Sequence, residues 1–181
     1  MKALISIVLL TLFLTAGAVC AQSQAPQFPC EDDERFSQFD FWVGDWEVHI
    51  ADGTFQGTNS ITSDYRRCVL VEDYESVSGF IGMSVNYLDH QTGEWVQIWN
   101  DASGSQINIR GGLTDEGMRL VGTIHYIGSN TTLPFRGTWT LLDDGRVRQF
   151  FEQYNEQTET WDTWFEGFYT RTSDEAGERE G

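Results

Sequence analysis

A near-continuous alternation of apolar and polar residues, from Trp46 to Arg171, is the feature that most constrains the fold of this chain. A period of two is typical of β-strands with one buried face, and turn sequences such as Asp52-Gly53 and Asp143-Asp144-Gly145 divide the run into short segments. We predict ten strands, over residues 46–50, 54–62, 68–77, 81–88, 94–100, 105–111, 118–127, 133–142, 147–154 and 161–171.

This pattern predicts an all-β fold. No segment after residue 41 has the i, i+3, i+4, i+7 apolar spacing of an amphipathic helix, which excludes parallel βαβ architectures. Short strands joined in series by tight turns favour a single antiparallel up-and-down barrel, because closure leaves no strand edge unpaired. A β-sandwich is the alternative. Residues 33–41 carry Phe36, Phe39 and Phe41, and predict a short N-terminal helix or turn packed on the barrel.

The N-terminus has the three parts of a secretory signal peptide. Lys2 precedes an apolar run over residues 3–13, and Val19-Cys20-Ala21 supplies small residues for cleavage after Ala21. Lipid attachment at Cys20 is an alternative that the preceding Val19 fits poorly. We predict a periplasmic or secreted protein without membrane insertion after signal removal. Its segments are a signal peptide (1–21), a linker (22–35), a barrel domain (36–171) and a disordered acidic tail (172–181).

The charge of the chain limits the kinds of partner that it can bind. The formal net charge is −17, with 28 acidic residues, and Lys2 is the only lysine. A field this negative repels phosphate backbones and anionic lipid surfaces, so we expect neither nucleic-acid binding nor peripheral membrane binding. Because signal cleavage removes Lys2, lysine Schiff-base chemistry is excluded.

The cysteine content fits an exported protein. Cys30 and Cys68 are the two cysteines that remain after signal cleavage. In an oxidising compartment two cysteines most simply form one disulfide, which is our prediction. Two free buried thiols are the alternative.

The start of the first predicted strand carries a recognisable motif. Gly44-x-Trp46 resembles the G-x-W opening of lipocalins and their calycin relatives. Glycine permits a tight approach to the strand, and tryptophan plugs the closed end of such a barrel. The resemblance implies that Trp46 packs against an arginine near the last strand, for which Arg171 is suitably placed. Gly44, Trp46 and Arg171 are therefore the expected structural residues.

Residues 36–171 as a whole resemble a bacterial exported family of lipocalin-like barrels of unknown function. Three features of that family follow in order. They are the F-D-F-W-x-G-x-W opening (residues 39–46), a cysteine-then-acid strand (Cys68, Glu72) and a W-x-Q-x-W strand (Trp95, Gln97, Trp99). The resemblance implies a barrel fold and no particular activity.

Haem and metals are disfavoured. Nitrobindin-type ten-stranded haem barrels begin similarly, but they bind iron through a histidine close to the C-terminus. Here the last histidine is His125, and His49 and His90 lie far from it in sequence. No H-x-H or C-x-x-C spacing indicates a metal site. We predict no metal and no cofactor.

Strand parity predicts a lumen lined by aromatic and polar side chains, as a barrel that holds one small ligand requires. The candidate ligand-binding residues are Glu72, Tyr74, Trp95, Gln97, Trp99, Arg110 and Glu152. Glu72 shares a face with Leu70, so burial would require a partner for its charge, either Arg110 or Arg148 or several hydrogen-bond donors. Ordinary outward polar residues around a tryptophan-rich core are the alternative.

Three functions fit this sequence. The first is a binding protein for a small hydrophobic or amphipathic molecule. The second is a cofactor-free calycin-type isomerase, cyclase or hydrolase, with Glu72, Glu152 or His125 as general acid or base. The third is a filled barrel that binds other proteins through its rim. A cavity of more than about 300 Å³ would support the first two, and a filled lumen the third.

Overall fold

The computed structural model describes residues 28–172, so the predicted signal peptide, the first part of the predicted linker and residues 173–181 of the predicted tail lie outside the described residues. No helix within residues 28–172 is long and apolar enough to cross a membrane. The helical segments are α1 (Pro29–Asp32) and two 3₁₀ turns (Glu34–Ser37 and Asp40–Trp42). The strands are β1 (Gly44–His49), β2 (Phe55–Asp64), β3 (Val69–Ser76), β4 (Ile81–Asp89), β5 (Glu94–Asp101), β6 (Ser105–Thr114), β7 (Gly117–Tyr126), β8 (Thr131–Leu141), β9 (Val147–Asn155) and β10 (Thr160–Arg171).

The ten strands form a closed antiparallel barrel. Each strand pairs with the next in sequence, and β1 pairs with β10, so that Trp46 lies opposite Arg171 and Val48 opposite Tyr169. The up-and-down barrel predicted from the alternation is confirmed, and the sandwich alternative is wrong. The pairing of β1 with β10 decides between them, because it closes the sheet. The alternation itself is visible in β1, where Trp46 and Val48 are buried while Asp45 and Glu47 are exposed.

The helical segments plug one end of the barrel. Phe39 stacks on Trp42 with ring centroids 4.9 Å apart, and it meets Trp95 and Trp139 edge-on at 5.7 and 5.2 Å. All four rings are almost completely buried. We call this aromatic cluster, together with Phe36, the plug. It buries apolar surface that would otherwise face water at the barrel mouth.

Gly44 and Trp46 connect the plug to the sheet. Gly44 has a φ of 138°, a region that side chains rarely adopt, and this lets the chain turn from the last 3₁₀ turn into β1. The Trp46 indole Nε1 donates to the Trp42 carbonyl at 2.9 Å, and the Arg171 guanidinium lies 4.2 Å from the centre of the Trp46 ring. This is the cation–π contact that the lipocalin resemblance implies.

A disulfide fastens α1 to the barrel. Cys30 and Cys68 are bonded, with Cα atoms 5.1 Å apart, which confirms the predicted pairing. An ion pair from Arg66 to Glu31 joins the same two parts of the chain, and one from Arg67 to Asp40 joins the second 3₁₀ turn to the segment before β3. The folded unit therefore includes α1, which lies in the predicted linker.

Candidate functional site

The half of the barrel away from the plug contains a cavity of about 220 Å³. Most of its wall is aromatic, and polar side chains lie at its floor and mouth. The lining residues are Gln56, Glu72, Tyr74, Ser76, Ser78, Phe80, Trp99, Ile107, Gln149, Phe151, Trp164, Phe165 and Tyr169. The cavity is smaller than the about 300 Å³ that we expected of a binding protein or an enzyme, but the lumen at this end is not filled, as a protein-interaction module would require. The barrel is thus filled at one end and hollow at the other.

Glycines create part of this space. Trp99 lies over Gly82, Phe151 over Gly137 and Phe165 over Gly167, and a Cβ atom on any of these glycines would overlap the ring above it. The aromatic side chains can therefore lie against the sheet instead of projecting across the lumen. A larger residue at these glycines would push the rings into the cavity.

A β-bulge places Trp164 at the mouth. The register of β10 against β9 shifts between Thr163 and Phe165, so Trp164 is an extra residue in the strand. Its indole Nε1 donates to the Tyr126 hydroxyl at 2.9 Å, and its ring packs on Phe135 at 5.4 Å. The alternation of the sequence did not predict this residue, because a bulge breaks the period of two.

Glu72 forms the floor of the cavity, and its side chain is almost completely buried. Asn59 Nδ2 donates to one carboxyl oxygen at 2.8 Å, and Ser84 Oγ donates to the other at 2.6 Å. Burial raises the pKa of Glu72 to about 7, while these two hydrogen bonds oppose the rise. The carboxyl group therefore changes its charge near neutral pH.

The hydrogen bonds behind this floor run in one direction. Asn86 Nδ2 and Gln97 Nε2 donate to the Ser84 hydroxyl at 2.8 and 3.4 Å, and that hydroxyl donates in turn to Glu72. Asn59 Nδ2 also lies 3.4 Å from the Tyr169 hydroxyl. Glu72 is thus the final acceptor of a chain of donors, an arrangement that favours its ionised form.

Several buried amide oxygens near these hydrogen-bonded side chains have no hydrogen-bond partner within the described part of the protein. They are Asn59 Oδ1, Asn86 Oδ1, Gln97 Oε1 and Gln149 Oε1. Gln149 is the one that also lines the cavity, and only 4% of its surface is exposed. A buried acceptor without a donor is costly, so a donor arriving in the cavity would be stabilised there.

The structure brings together part of the predicted site. Glu72, Tyr74 and Trp99 line the cavity, and Gln97 lies behind its floor. Trp95 also points inward, but it belongs to the plug, where its indole Nε1 donates to Gln38 at 3.3 Å.

The predicted inward orientation of Arg110 and Glu152 is wrong, because both side chains lie on the outer face of the barrel. Arg110 pairs with Glu94 at 3.4 Å, and Glu152 pairs with Arg136 at 2.6 Å. The parity of these strands is the reverse of our assignment. Ser105, Ile107 and Ile109 are the buried residues of β6, and Val147, Gln149 and Phe151 are those of β9.

The predicted arginine partners of Glu72 are wrong for the same reason. Arg148, like Arg110, lies on the outer face, where it pairs with Glu166 at 2.6 Å. The alternative that we predicted, hydrogen-bond donors in place of an arginine, is the one observed. Asn59 and Ser84 donate to the Glu72 carboxyl group.

None of the three histidines lines the cavity. His125 Nδ1 lies 2.8 Å from the Thr132 hydroxyl on the outer face, His49 packs on Phe55, and His90 packs on Phe36. Neither His125 nor Glu152 can therefore act as acid or base on a molecule in the cavity. Within residues 28–172, no group of three or more potential ligands could hold a metal ion.

Neither a protein-family model nor a curated protein sequence matches this chain. Functional inference therefore depends on the barrel and its cavity.

Proposed function

We propose that this protein is an exported binding protein that holds a small hydrophobic or amphipathic molecule in the open half of its barrel. The cavity carries the proposal, since a concave aromatic wall with a few converging polar groups is the usual form of a small-molecule site. Its volume of about 220 Å³ suits a molecule with one ring or a short alkyl chain.

Export is the second part of the proposal. A Cys30–Cys68 disulfide is typical of oxidising compartments, and the first 21 residues have the pattern of a signal peptide. The third part is membership in the lipocalin-like exported family. The Gly44-x-Trp46 opening and the Arg171–Trp46 contact support it.

One observation favours a second candidate, a cofactor-free enzyme. Glu72 has a pKa of about 7 and lies at the cavity floor, and a general acid or base is most effective when its pKa lies near the working pH. Such an enzyme would use Glu72 alone among the three residues predicted for this role. Glu72→Gln would then abolish turnover of a molecule that the variant still binds.

Protein purified from its natural host tests binding directly. Native mass spectrometry should show a retained small molecule that is lost on denaturation. The identified molecule, added back to stripped protein, should quench tryptophan emission saturably. Trp99→Ala should weaken this binding at least tenfold, because Trp99 forms part of the cavity wall.

Trp161→Ala is the matched control. Trp161 packs on Tyr154 and beneath Arg136 on the outer face, so its loss should leave the affinity unchanged. Absence of a retained molecule, together with absence of saturable quenching by small aromatic probes, would contradict the proposal.

A further inference from the structure

We propose that the molecule held in this cavity is a small organic amine, whose ammonium group lies between Glu72 and Gln149 while its apolar part packs on the aromatic wall. This inference rests on the proposed binding function and specifies the chemical class of the ligand.

The charges around the cavity argue against an anionic ligand. Glu72 is the one carboxylate among the cavity-lining residues described, and those residues include no arginine, lysine or histidine. Arg110 and Arg148 lie on the outer face, where they pair with Glu94 and Glu166. Arg171, at the end of β10, lies over the Trp46 ring at the plugged end and does not line the cavity. A fatty acid or other anion would enter next to Glu72 with no cation to balance it.

Two side chains that face the cavity, Glu72 and Gln149, have oxygens that can accept further hydrogen bonds. Each oxygen of Glu72 receives one hydrogen bond, which leaves acceptor capacity on an ionised carboxylate. Gln149 Oε1 is buried, lines the same cavity and receives none. An ammonium group has three donors and no acceptor, so it can satisfy both residues and neutralise Glu72.

The two tryptophans of the aromatic wall offer ring faces, whereas the hydroxyls of the lining residues Tyr74 and Tyr169 can donate or accept. The indole Nε1 of Trp99 donates to Asp101 at 3.1 Å, and that of Trp164 donates to Tyr126. At the mouth, the hydroxyls of Ser76 and Ser78 bond to each other at 2.8 Å. Aromatic faces stabilise a nearby cation and bury an apolar group equally well, and both parts of an amine benefit.

Binding of an amine should depend on pH. The groups that face Glu72 are Asn59 on β2, Ser84 on β4, Tyr169 on β10 and Tyr74 on its own strand, while the carboxylate of the adjacent Asp73 lies on the outer face. Glu72 titrates near neutral pH, and a cation binds its ionised form. The affinity for an amine should therefore fall about tenfold from pH 8 to pH 6, with proton uptake by Glu72 as the cause.

Three probes of similar size separate the possibilities. We would measure by calorimetry the binding of 2-phenylethylamine, 2-phenylethanol and phenylacetate to the full mature chain. We expect the amine to bind at least tenfold more tightly than the alcohol at pH 8, and phenylacetate to bind more weakly than either. Glu72→Gln should remove the preference for the amine and its pH dependence, while affinity for the alcohol is retained.

Glu152→Gln is the matched control, because it neutralises a carboxylate on the outer face. It should leave all three affinities unchanged. If Glu72→Gln does not fold, Gln149→Met should lower the preference for the amine, and the pH dependence of the wild type gives an independent test.

The outcomes are distinct. Equal binding of amine and alcohol, or tighter binding of phenylacetate, would overturn the amine proposal and leave the binding function intact. No binding of any probe at millimolar concentration would overturn both. Preference for the amine that persists in Glu72→Gln would overturn the assignment of Glu72 as its partner.

Discussion

The two ends of this barrel share one sheet but differ in their contents. At the plugged end, Phe39, Trp42, Trp95 and Trp139 pack ring against ring and are almost completely buried. At the open end, the same alternation places glycines, amides and Glu72 on the inner face, and a cavity of about 220 Å³ results. The alternation of apolar and polar residues therefore determines that the strands form one closed sheet, whereas the size and polarity of the inner residues decide whether the lumen is filled. We infer that stability resides mainly in the plugged end and binding in the open end.

Trp46→Ala should have the largest effect on stability. The Trp46 side chain is buried against the plug, so its loss should lower the free energy of unfolding by about 3–5 kcal/mol. Trp99→Ala should lower it by less, because Trp99 already borders a cavity and makes fewer contacts on that side. Urea unfolding of both variants measures the difference. An equal or larger loss for Trp99→Ala would contradict the division of roles.

Removal of the disulfide should lower the free energy of unfolding of the whole protein and leave the cavity unchanged. The cysteines are 38 residues apart, and the chain-entropy estimate for a loop of that length is about 4 kcal/mol. The Cys30→Ser/Cys68→Ser double variant should therefore unfold at lower urea while its folded form keeps its affinity for ligand. Intact-mass analysis under non-reducing alkylation checks the bond itself. Two labelled thiols in protein recovered from the periplasm would show that the bond is not formed there.

Glu72→Gln should change how the free energy of unfolding depends on pH. The pKa of Glu72 is about 7 in the folded protein against an ordinary value of 4.5. Folding then takes up a proton between these values, so this residue lowers the free energy of unfolding as the pH rises from 4.5 to about 7. The loss approaches about 3 kcal/mol above pH 7 and is absent below pH 4.

Glu72→Gln lacks this pH-dependent loss of stability. Its free energy of unfolding should therefore increase relative to that of the wild type between pH 5 and pH 7, and the difference should stay constant above pH 7. Unfolding by urea at a series of pH values measures it. An advantage that is the same at pH 4 and pH 8 would contradict the assigned pKa. Glu152→Gln provides the outer-face control.

Arg171→Ala should have the smallest effect. Its guanidinium covers the Trp46 ring at the plugged end, and the loss of packing and of the cation–π contact should lower the free energy of unfolding by about 1–2 kcal/mol. Ligand affinity should not change. A reduced affinity in this variant would show that the two ends are coupled.

The sequence predicted the barrel because its strands alternate clearly and its turns are short. The Arg171–Trp46 contact was expected from the Gly44-x-Trp46 motif, since a motif fixes the geometry of its own surroundings. The floor of the cavity was harder to predict. On β4, Ser84 and Asn86 point inward while Val85 and Tyr87 lie on the outer face, so hydrophobicity indicates the wrong side.

The same ambiguity explains the errors on β6 and β9. The prediction of a polar lumen assigns the polar side of β6, which carries Arg110, to the inner face, although Ile107 and Ile109 are buried there. On β9, the adjacent Phe150 and Phe151 gave both faces an aromatic residue. Gln149, between Val147 and Phe151 on one face, was the available signal for the inner side.

The seven tryptophans allow both ends to be observed in one experiment, an indole ¹H–¹⁵N correlation spectrum recorded during titration with 2-phenylethylamine and, separately, with 2-phenylethanol. Trp99 and Trp164 line the cavity, Trp161 lies on the outer face, and the other four tryptophans (Trp42, Trp46, Trp95 and Trp139) are buried at the plugged end. We expect the signals of Trp99 and Trp164 to shift saturably with at least one probe, while the other five remain in place. Shifts confined to the plugged end or to Trp161, or no saturable shift with either probe, would contradict a ligand site in the open half of the barrel.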